Sequence, residues 1–283
     1  MKKIKRHLRR LLADKFPKIA ATFRELKDIK NFNQSSKMTQ LGFMFCGHKG
    51  MQRGTFEQQE TVLIQKILSR IDVLVNVGAN IGYYVCLGLQ NNKKVIAFEP
   101  IASNLKYLLR NIKINGWQNN VEIFPVALSN KAGIIEIYGG GTGASLIKGW
   151  AQTPDSYLTL VPSSTMNVAL GERLKGKKIL LIVDIEGAEN MMLEGSSILL
   201  DMNPKPIWFV EICCTEHQPK GIRINPNLLQ TFEKFWDKGY DSMTADRFLR
   251  AITKAEILKI IETQVDTLGV HNFIFYEKGK KPI

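Results

Sequence analysis

Val73-Leu74-Val75-Asn76-Val77-Gly78-Ala79-Asn80-Ile81-Gly82-Tyr83 decides the fold. A short apolar run that stops at glycine fits a strand buried on both faces of a parallel sheet. The glycine-bearing turn lets the backbone approach a ligand where a Cβ would collide, and the helix that follows offers free N–H groups. Spacing tests two phosphate-binding readings. A G-x-G-x-x-G fingerprint needs glycine at 80 and Gly or Ala at 83, where this chain has Asn80 and Tyr83; no G-x-x-x-x-G-K-[ST] loop occurs. Asn80 suits the turn because asparagine tolerates left-handed backbone. A tight turn with no ligand would read the same locally.

Around this stretch strand and helix patterns alternate. Glu60 to Arg70 reads as a helix, Tyr83 to Gln90 as a second, and Val95 to Phe98 as a strand ending at Glu99-Pro100. Ile101 to Asn115 is helical and closed by Gly116, and Val121 to Phe124 is a third strand. Gly133 to Tyr138 forms an extra strand before the flexible run Gly139 to Gly143. The alternation resumes with strand Ile179 to Val183 and helix Glu189 to Leu200. Strand Ile207 to Ile212, helix Leu228 to Lys238 and a closing strand Asn272 to Tyr276 complete it. The order predicts a doubly wound α/β domain over residues 54–283. Residues 31–56 read as an irregular connector, and 1–53 together as a basic arm and connector.

Two acidic strand ends sharpen the reading. Glu99 closes the second strand 21 positions beyond Gly78, where a carboxylate can accept both hydroxyls of a ribose. A ribose grip without a phosphate signature fits a nucleoside cofactor that has no pyrophosphate, such as S-adenosylmethionine. In Ile179-Leu180-Leu181-Ile182-Val183-Asp184-Ile185-Glu186-Gly187-Ala188-Glu189, five apolar residues deliver Asp184 to the carboxyl end of a strand beside the first. That is the topological switch point, where ligands bind in open α/β sheets. Asp184 could instead cap the helix that starts near Gly187. Glu211 repeats the arrangement after Trp208-Phe209-Val210. Cys213 and Cys214 read as buried small apolar groups rather than nucleophiles, because nothing nearby in sequence lowers a thiol pKa.

Composition excludes several classes. The 283 residues are 45% hydrophobic and 23% charged, so the chain is neither disordered nor of low complexity. No apolar run reaches the roughly 18 residues of a membrane span. Leu11-Leu12-Ala13 runs straight into Asp14-Lys15, so an apolar signal-peptide core is missing. Four cysteines without a CxxC pair suit a reduced, cytoplasmic protein with no structural zinc. Of the net charge of +13, residues 1–30 carry +8, from eleven basic and three acidic residues. The body is only mildly basic, which argues against a specific nucleic-acid reader. In the arm, Ile4, Leu8, Leu11, Leu12, Ile19, Phe23 and Leu26 recur at helical spacing between cations. It reads equally as a helix lying on an anionic membrane, at its inner face, or as a helix packed on the body.

With these residues in view, the chain resembles the FkbM-type methyltransferases, a family of S-adenosylmethionine-dependent enzymes with a Rossmann-like sheet. The likeness rests on Val77-Gly78-Ala79-Asn80-Ile81-Gly82, Ala97-Phe98-Glu99-Pro100 and Val126-Ala127-Leu128-Ser129. It continues in Asp184 to Glu189, in Val210-Glu211-Ile212 and in Gly54-Thr55-Phe56-Glu57, spanning about residues 54 to 277. The resemblance implies a mostly parallel sheet with an antiparallel last strand. It implies that Asn76, Gly78, Ala79, Asn80 and Gly82 form the turn around the cofactor. Glu99 would hold the ribose, Ala127 lie near the adenine, and Asp184 sit close to the sulfonium and the acceptor. It further implies O-methylation of a sugar, a glycolipid or polysaccharide, or a small natural product. Two positions depart from the family pattern: Asn76 stands where aspartate is usual, and Thr165-Met166-Asn167 where a Thr-Leu-Asp-like run is common. The first removes a negative charge beside a cationic cofactor and predicts weaker binding.

The chemistry such a site must perform is in-line methyl transfer to an oxygen, which requires alignment and removal of a proton. Asp184 is the first candidate base, with Glu211 and His217 as alternatives; no metal is expected, since His7, His48 and His271 lack partner spacing. Two competing classes remain. A nicotinamide-linked oxidoreductase is disfavoured by Asn80 and Tyr83, and a cofactor-binding protein without turnover would be marked by Asn76.

Overall fold

The computed structural model describes residues 34–283 together with Phe32. The helical reading of the basic arm therefore lies outside the described residues. The chain enters through a short hairpin, β1 (Lys37–Met38) and β2 (Met44–Phe45), then α1 (Lys49–Arg53) and α2 (Gln58–Leu68). Alternation follows in β3 (Val73–Val77), α3 (Tyr83–Gln90), β4 (Lys94–Phe98), α4 (Ala102–Ile114) and β5 (Val121–Phe124). Three strands then depart from it: β6 (Ala127–Leu128), β7 (Gly133–Tyr138) and β8 (Leu158–Ser164). Next come α5 (Met166–Leu170), β9 (Ile179–Val183), α6 (Glu189–Glu194), α7 (Ser197–Leu200) and β10 (Ile207–Glu211). The chain closes with α8 (Leu228–Trp236), β11 (Tyr240–Thr244), α9 (Lys254–Thr263) and β12 (Asn272–Glu277).

The main sheet has seven strands in the order β11-β12-β10-β9-β3-β4-β5. Strands β5, β4, β3, β9 and β10 run parallel, and β12 pairs antiparallel with both β10 and β11. Chain order reverses between β3 and β9, so the crevice lies at their carboxyl ends. Both faces are covered. Val73, Val75, Val77, Leu181 and Val183 point into one core with α8 and α9, whereas Leu74, Leu180 and Ile182 point into the other with α2, α3 and α4. That is why these strands read as nearly continuous apolar runs rather than alternating ones.

Several expectations are corrected. The supposed connector is built structure: Phe43, Phe45 and Met51 are buried in the second core. The single helix expected over Glu189 to Leu200 is two. At Gly195 a Cβ would stand 2.4 Å from the Ser129 carbonyl oxygen, and the Ser196 hydroxyl turns back onto the Met192 carbonyl. β8, β11, α5 and α9 are additions. β6, β8 and β7 form a second small sheet beside the carboxyl end of β4, and Ile101, Ala127, Ile137 and Val161 make a separate apolar cluster there.

Candidate active site

Backbone pairing sets the level of every candidate residue. Val77 registers with Phe98 on one side and Val183 on the other, so Gly78, Glu99 and Asp184 leave the sheet together. The ladder continues one step further: the Gly78 and Ala79 N–H groups donate to the Phe98 carbonyl, and the Asp184 N–H donates to the Val77 carbonyl at 3.1 Å. Gly78 sits at φ +77°, and a Cβ there would lie 1.9 Å from the Asp184 carbonyl oxygen. The glycine expected to make room for a ligand thus makes room for the neighbouring strand end. Gly82, at φ +90°, begins α3, where a Cβ would meet Leu108 of α4 at 2.5 Å.

A cleft of ≈ 560 Å³ opens above these strand ends. Gly78, Asn80, Glu99, Ala127 and Asp184 line it, as do Asn104 and Glu186. Asn76, Ala79 and Gly82 are not on its wall. Asn76 is 2% exposed and donates to the Ile182 carbonyl at 3.4 Å, inside the second core.

Glu99 is 3% exposed, yet three donors hold it. The Asn80 N–H reaches Oε2 at 2.7 Å; the Ile101 N–H and the Asn104 amide reach Oε1 at 2.8 and 3.2 Å. Burial raises its pKa and these hydrogen bonds oppose the rise. A carboxylate accepts about four hydrogen bonds, so roughly one acceptor position, on Oε2, is left for a ligand. Asn104, which the sequence reading missed, also donates to the Gly141 carbonyl at 3.0 Å. It ties the glycine-rich loop to Glu99. Asn80, in left-handed backbone at φ +50°, keeps a buried Oδ1 with no partner among the described residues.

Next to this slot the carboxylates crowd. Asp184 caps no helix; α6 starts after Ala188, and Glu189 Oε1 accepts from the Gly187 N–H at 2.9 Å. Burial, and then Glu211, Glu186, Glu57 and Glu189, hold the Asp184 carboxyl well above its usual range. Glu211 is pushed up to about 8 by burial and by Glu186, Glu57 and Glu189. Like charges gathered in a poorly solvated place favour the protonated form. Glu57 precedes α2 and accepts from the Tyr84 hydroxyl of α3. His217 lies on the rim, its Nδ1 3.6 Å from Glu186 Oε2, and the Trp150 indole N–H donates to that same oxygen at 2.7 Å. Sequence reasoning missed Trp150, Tyr84 and Glu186. Trp150 packs where a Cβ on Gly187 would stand, 2.5 Å from its ring, a contact that no local pattern announces. All four cysteines are free and buried, and burial raises the Cys213 and Cys214 thiols, which favours their protonated form. Among the described residues no cluster of His, Cys, Asp and Glu is arranged to hold a metal ion.

The site thus combines a doubly wound sheet, a buried carboxylate, Glu99, just beyond the end of β4, and no phosphate-binding loop. The model of the methyltransferase FkbM domain matches residues 76–242, more than half of the chain, and the chain belongs to that family. Among solved structures it is similar to a methyltransferase FkbM from Methylobacillus flagellatus KT (16% identity, TM-score 0.43), covering 73% of this chain and 44% of that one. It is also similar to an O-methyltransferase from Bacillus cereus in complex with SAH (11%, TM-score 0.41, 77% and 79% covered). A third is precorrin-6y C5,15-methyltransferase from Geobacter metallireducens GS-15 (11%, TM-score 0.41, 82% and 95% covered). The chain thus spans less than half the length of the first of these. No curated protein matches it.

Proposed function

We propose that the protein is an S-adenosylmethionine-dependent O-methyltransferase whose acceptor is a hydroxyl of a sugar, a glycolipid or polysaccharide, or a small natural product. The observation that carries this reading is the adjacency of two unlike ends of one cleft. At one end Glu99 is held by three donors with an acceptor position to spare; at the other Asp184 stands among four further carboxylates. The residues fit the cofactor. Glu99 would take a ribose hydroxyl, and the apolar wall of Ile101, Ala127, Ile137 and Leu146 would take the adenine face. The buried, unpartnered Asn80 Oδ1 would accept from a cofactor donor. When bound, the cofactor supplies an electrophilic methyl group on a positively charged sulfur.

The chain's own residues do the rest. Asp184 and Glu211 would orient the acceptor hydroxyl and receive its proton. Their raised pKa values suit that task, because a base works best when its pKa lies near the working pH. Glu186, fixed by Trp150, would hold His217 at the entrance. Asn76 replaces a charge at a place that does not touch the cleft, so its effect on binding is expected to be small.

Titration checks the base. The value of kcat/KM should rise with pH along a limb near 8, the level to which Glu211 is pushed. In Glu211→Gln the limb should move to lower pH, because Asp184 loses the neighbouring charge that most raises it. A limb in the ordinary carboxylate range in the unaltered protein would remove both acids from the role. The reading as a whole is tested by calorimetry with S-adenosylmethionine and with NAD, and by release of S-adenosylhomocysteine against a panel of glycans. Binding of NAD alone, or turnover with no hydroxyl acceptor, would reject it.

The basic arm fits a membrane-held acceptor. No helix among the described residues is long and apolar enough to cross a membrane. Removing residues 1–30 should abolish sedimentation with anionic liposomes; unchanged sedimentation would defeat the proposal.

A further inference from the structure

We infer that a polar groove beside the acid cluster is a second acceptor subsite, which takes a neighbouring sugar unit when the methylated hydroxyl belongs to an oligosaccharide. The inference rests on the methyltransferase reading above. The groove, ≈ 820 Å³ of open space, runs between the start of α2 and the ends of β11 and β12. Its wall includes Gln58, Gln59, Asp246, Val270, His271 and Asn272.

Two links place it beside the methyl-transfer end. Asn272 registers directly opposite Glu211 on the antiparallel β10–β12 pair, and the Ile212 N–H donates to the His271 carbonyl at 2.6 Å. Glu57, whose charge bears on Asp184 and Glu211, immediately precedes Gln58. Instead of capping α2, Glu57 takes left-handed backbone and accepts from Tyr84. The first turn of α2 is therefore left without a side-chain cap at the groove's edge.

The chemistry of the wall selects the ligand. Asn272 is 6% exposed, and its side chain borders the groove. An amide that borders the groove can meet a ligand or water there. Gln58, Gln59 and Asn272 each offer a carbonyl oxygen and an NH2 group, which match hydroxyls that both donate and accept. Asp246 uses Oδ1 for the Thr244 hydroxyl and two backbone N–H groups, which leaves Oδ2 as a further acceptor. Val270 offers a carbon surface for the C–H face of a ring. The wall carries no lysine or arginine, so a phosphate or sulfate group would find no counter-charge there.

The test compares acceptor lengths on the full chain. S-adenosylhomocysteine release is measured with methyl glycosides of glucose, galactose, mannose, rhamnose and N-acetylglucosamine, and with di- and trisaccharides of the same sugars. At least one longer acceptor should surpass its own methyl glycoside in kcat/KM by about tenfold. The exposed double variant Gln58→Ala/Gln59→Ala should erase that advantage while leaving the methyl glycoside rate unchanged. Asn272→Ala, compared at equal melting temperature, should do the same. Equal losses for both lengths, no length preference in the unaltered protein, or no turnover with any sugar while S-adenosylmethionine still binds would each overturn the subsite. Failure to bind S-adenosylmethionine at all would overturn the methyltransferase reading itself.

Discussion

The Gly78→Ala variant should lose cofactor binding and melt well below the unaltered protein. The reason lies in the strands rather than in the ligand. At φ +77° an alanine is strained, and its Cβ would stand 1.9 Å from the Asp184 carbonyl oxygen and 3.1 Å from Ile185 Cγ2. Nothing flexible is available to yield, because the atom in the way is backbone, and the Asp184 N–H is fixed to the Val77 carbonyl. Left-handed strain of about 1–3 kcal/mol adds to overpacking of about 1–3 kcal/mol. At roughly 2–4 °C per kcal/mol for a chain of this class, the melting temperature should fall by about 4–24 °C. Asp184 would be displaced with its carbonyl, so binding and transfer fail together. Differential scanning calorimetry and cofactor titration measure the two losses. A variant that melts and binds like the original would show that the strand ends are not locked at this point.

Asp184→Asn should separate chemistry from stability in the opposite sense. If Asp184 receives the acceptor's proton, transfer should drop by about 10²–10⁴-fold, the usual range for a general base. Cofactor affinity should change little, since asparagine keeps the shape and Glu99 is untouched. The fold should gain stability. Asp184 has a pKa raised above that of the unfolded chain, by burial and by Glu211, Glu186, Glu57 and Glu189. Such a group contributes stability that is complete below its unfolded pKa, near 4, and lost as pH rises through the folded value. The amide carries no charge to desolvate, so the variant's advantage in melting temperature should widen as pH increases. Near-original turnover, or a lower melting temperature at pH 8 than at pH 6 relative to the parent, would contradict this account of the cluster.

Most of the sheet was legible because burial on both faces leaves few polar residues inside the central strands; β3 carries one, Asn76. β3 and β9 begin and end where the apolar runs do, and β5, Val121-Glu122-Ile123-Phe124, keeps the bounds read for it although it is only partly buried. β11 was not legible: Tyr240-Asp241-Ser242-Met243-Thr244 mixes polar groups that are buried by long-range partners, Ser242 accepting from the Trp236 indole and donating to the Ile252 carbonyl, and Thr244 donating to Asp246. α9 was announced only by Thr253 and Glu256, whose hydroxyl-to-backbone cap is a common helix start.

The candidate site divides in the same way. Gly78, Asn80, Glu99, Ala127 and Asp184 stand at strand ends and turns, where local sequence betrays position, and the structure gathers them around one cleft. Asn104, Tyr84, Trp150 and Glu186 act through long-range contacts. Asn104 reaches Glu99 across the start of α4 and the Gly141 carbonyl across 37 positions; Trp150 reaches Glu186 across 36. No periodicity records such meetings. Asn76 shows the converse. It lies within the most informative stretch of the chain, yet strand alternation turns its side chain into the core behind the cleft.

The central claim is that one crevice holds a nucleoside cofactor by its sugar at Glu99 and presents its reactive end to Asp184. A crystal structure with S-adenosylhomocysteine tests it most directly. The account predicts a ribose hydroxyl within hydrogen-bond distance of Glu99 Oε2, the adenine against Ala127 and Ile137, and the sulfur beside Asp184. A cofactor bound elsewhere, or a crevice that stays filled by the protein's own side chains at saturating ligand, would contradict it.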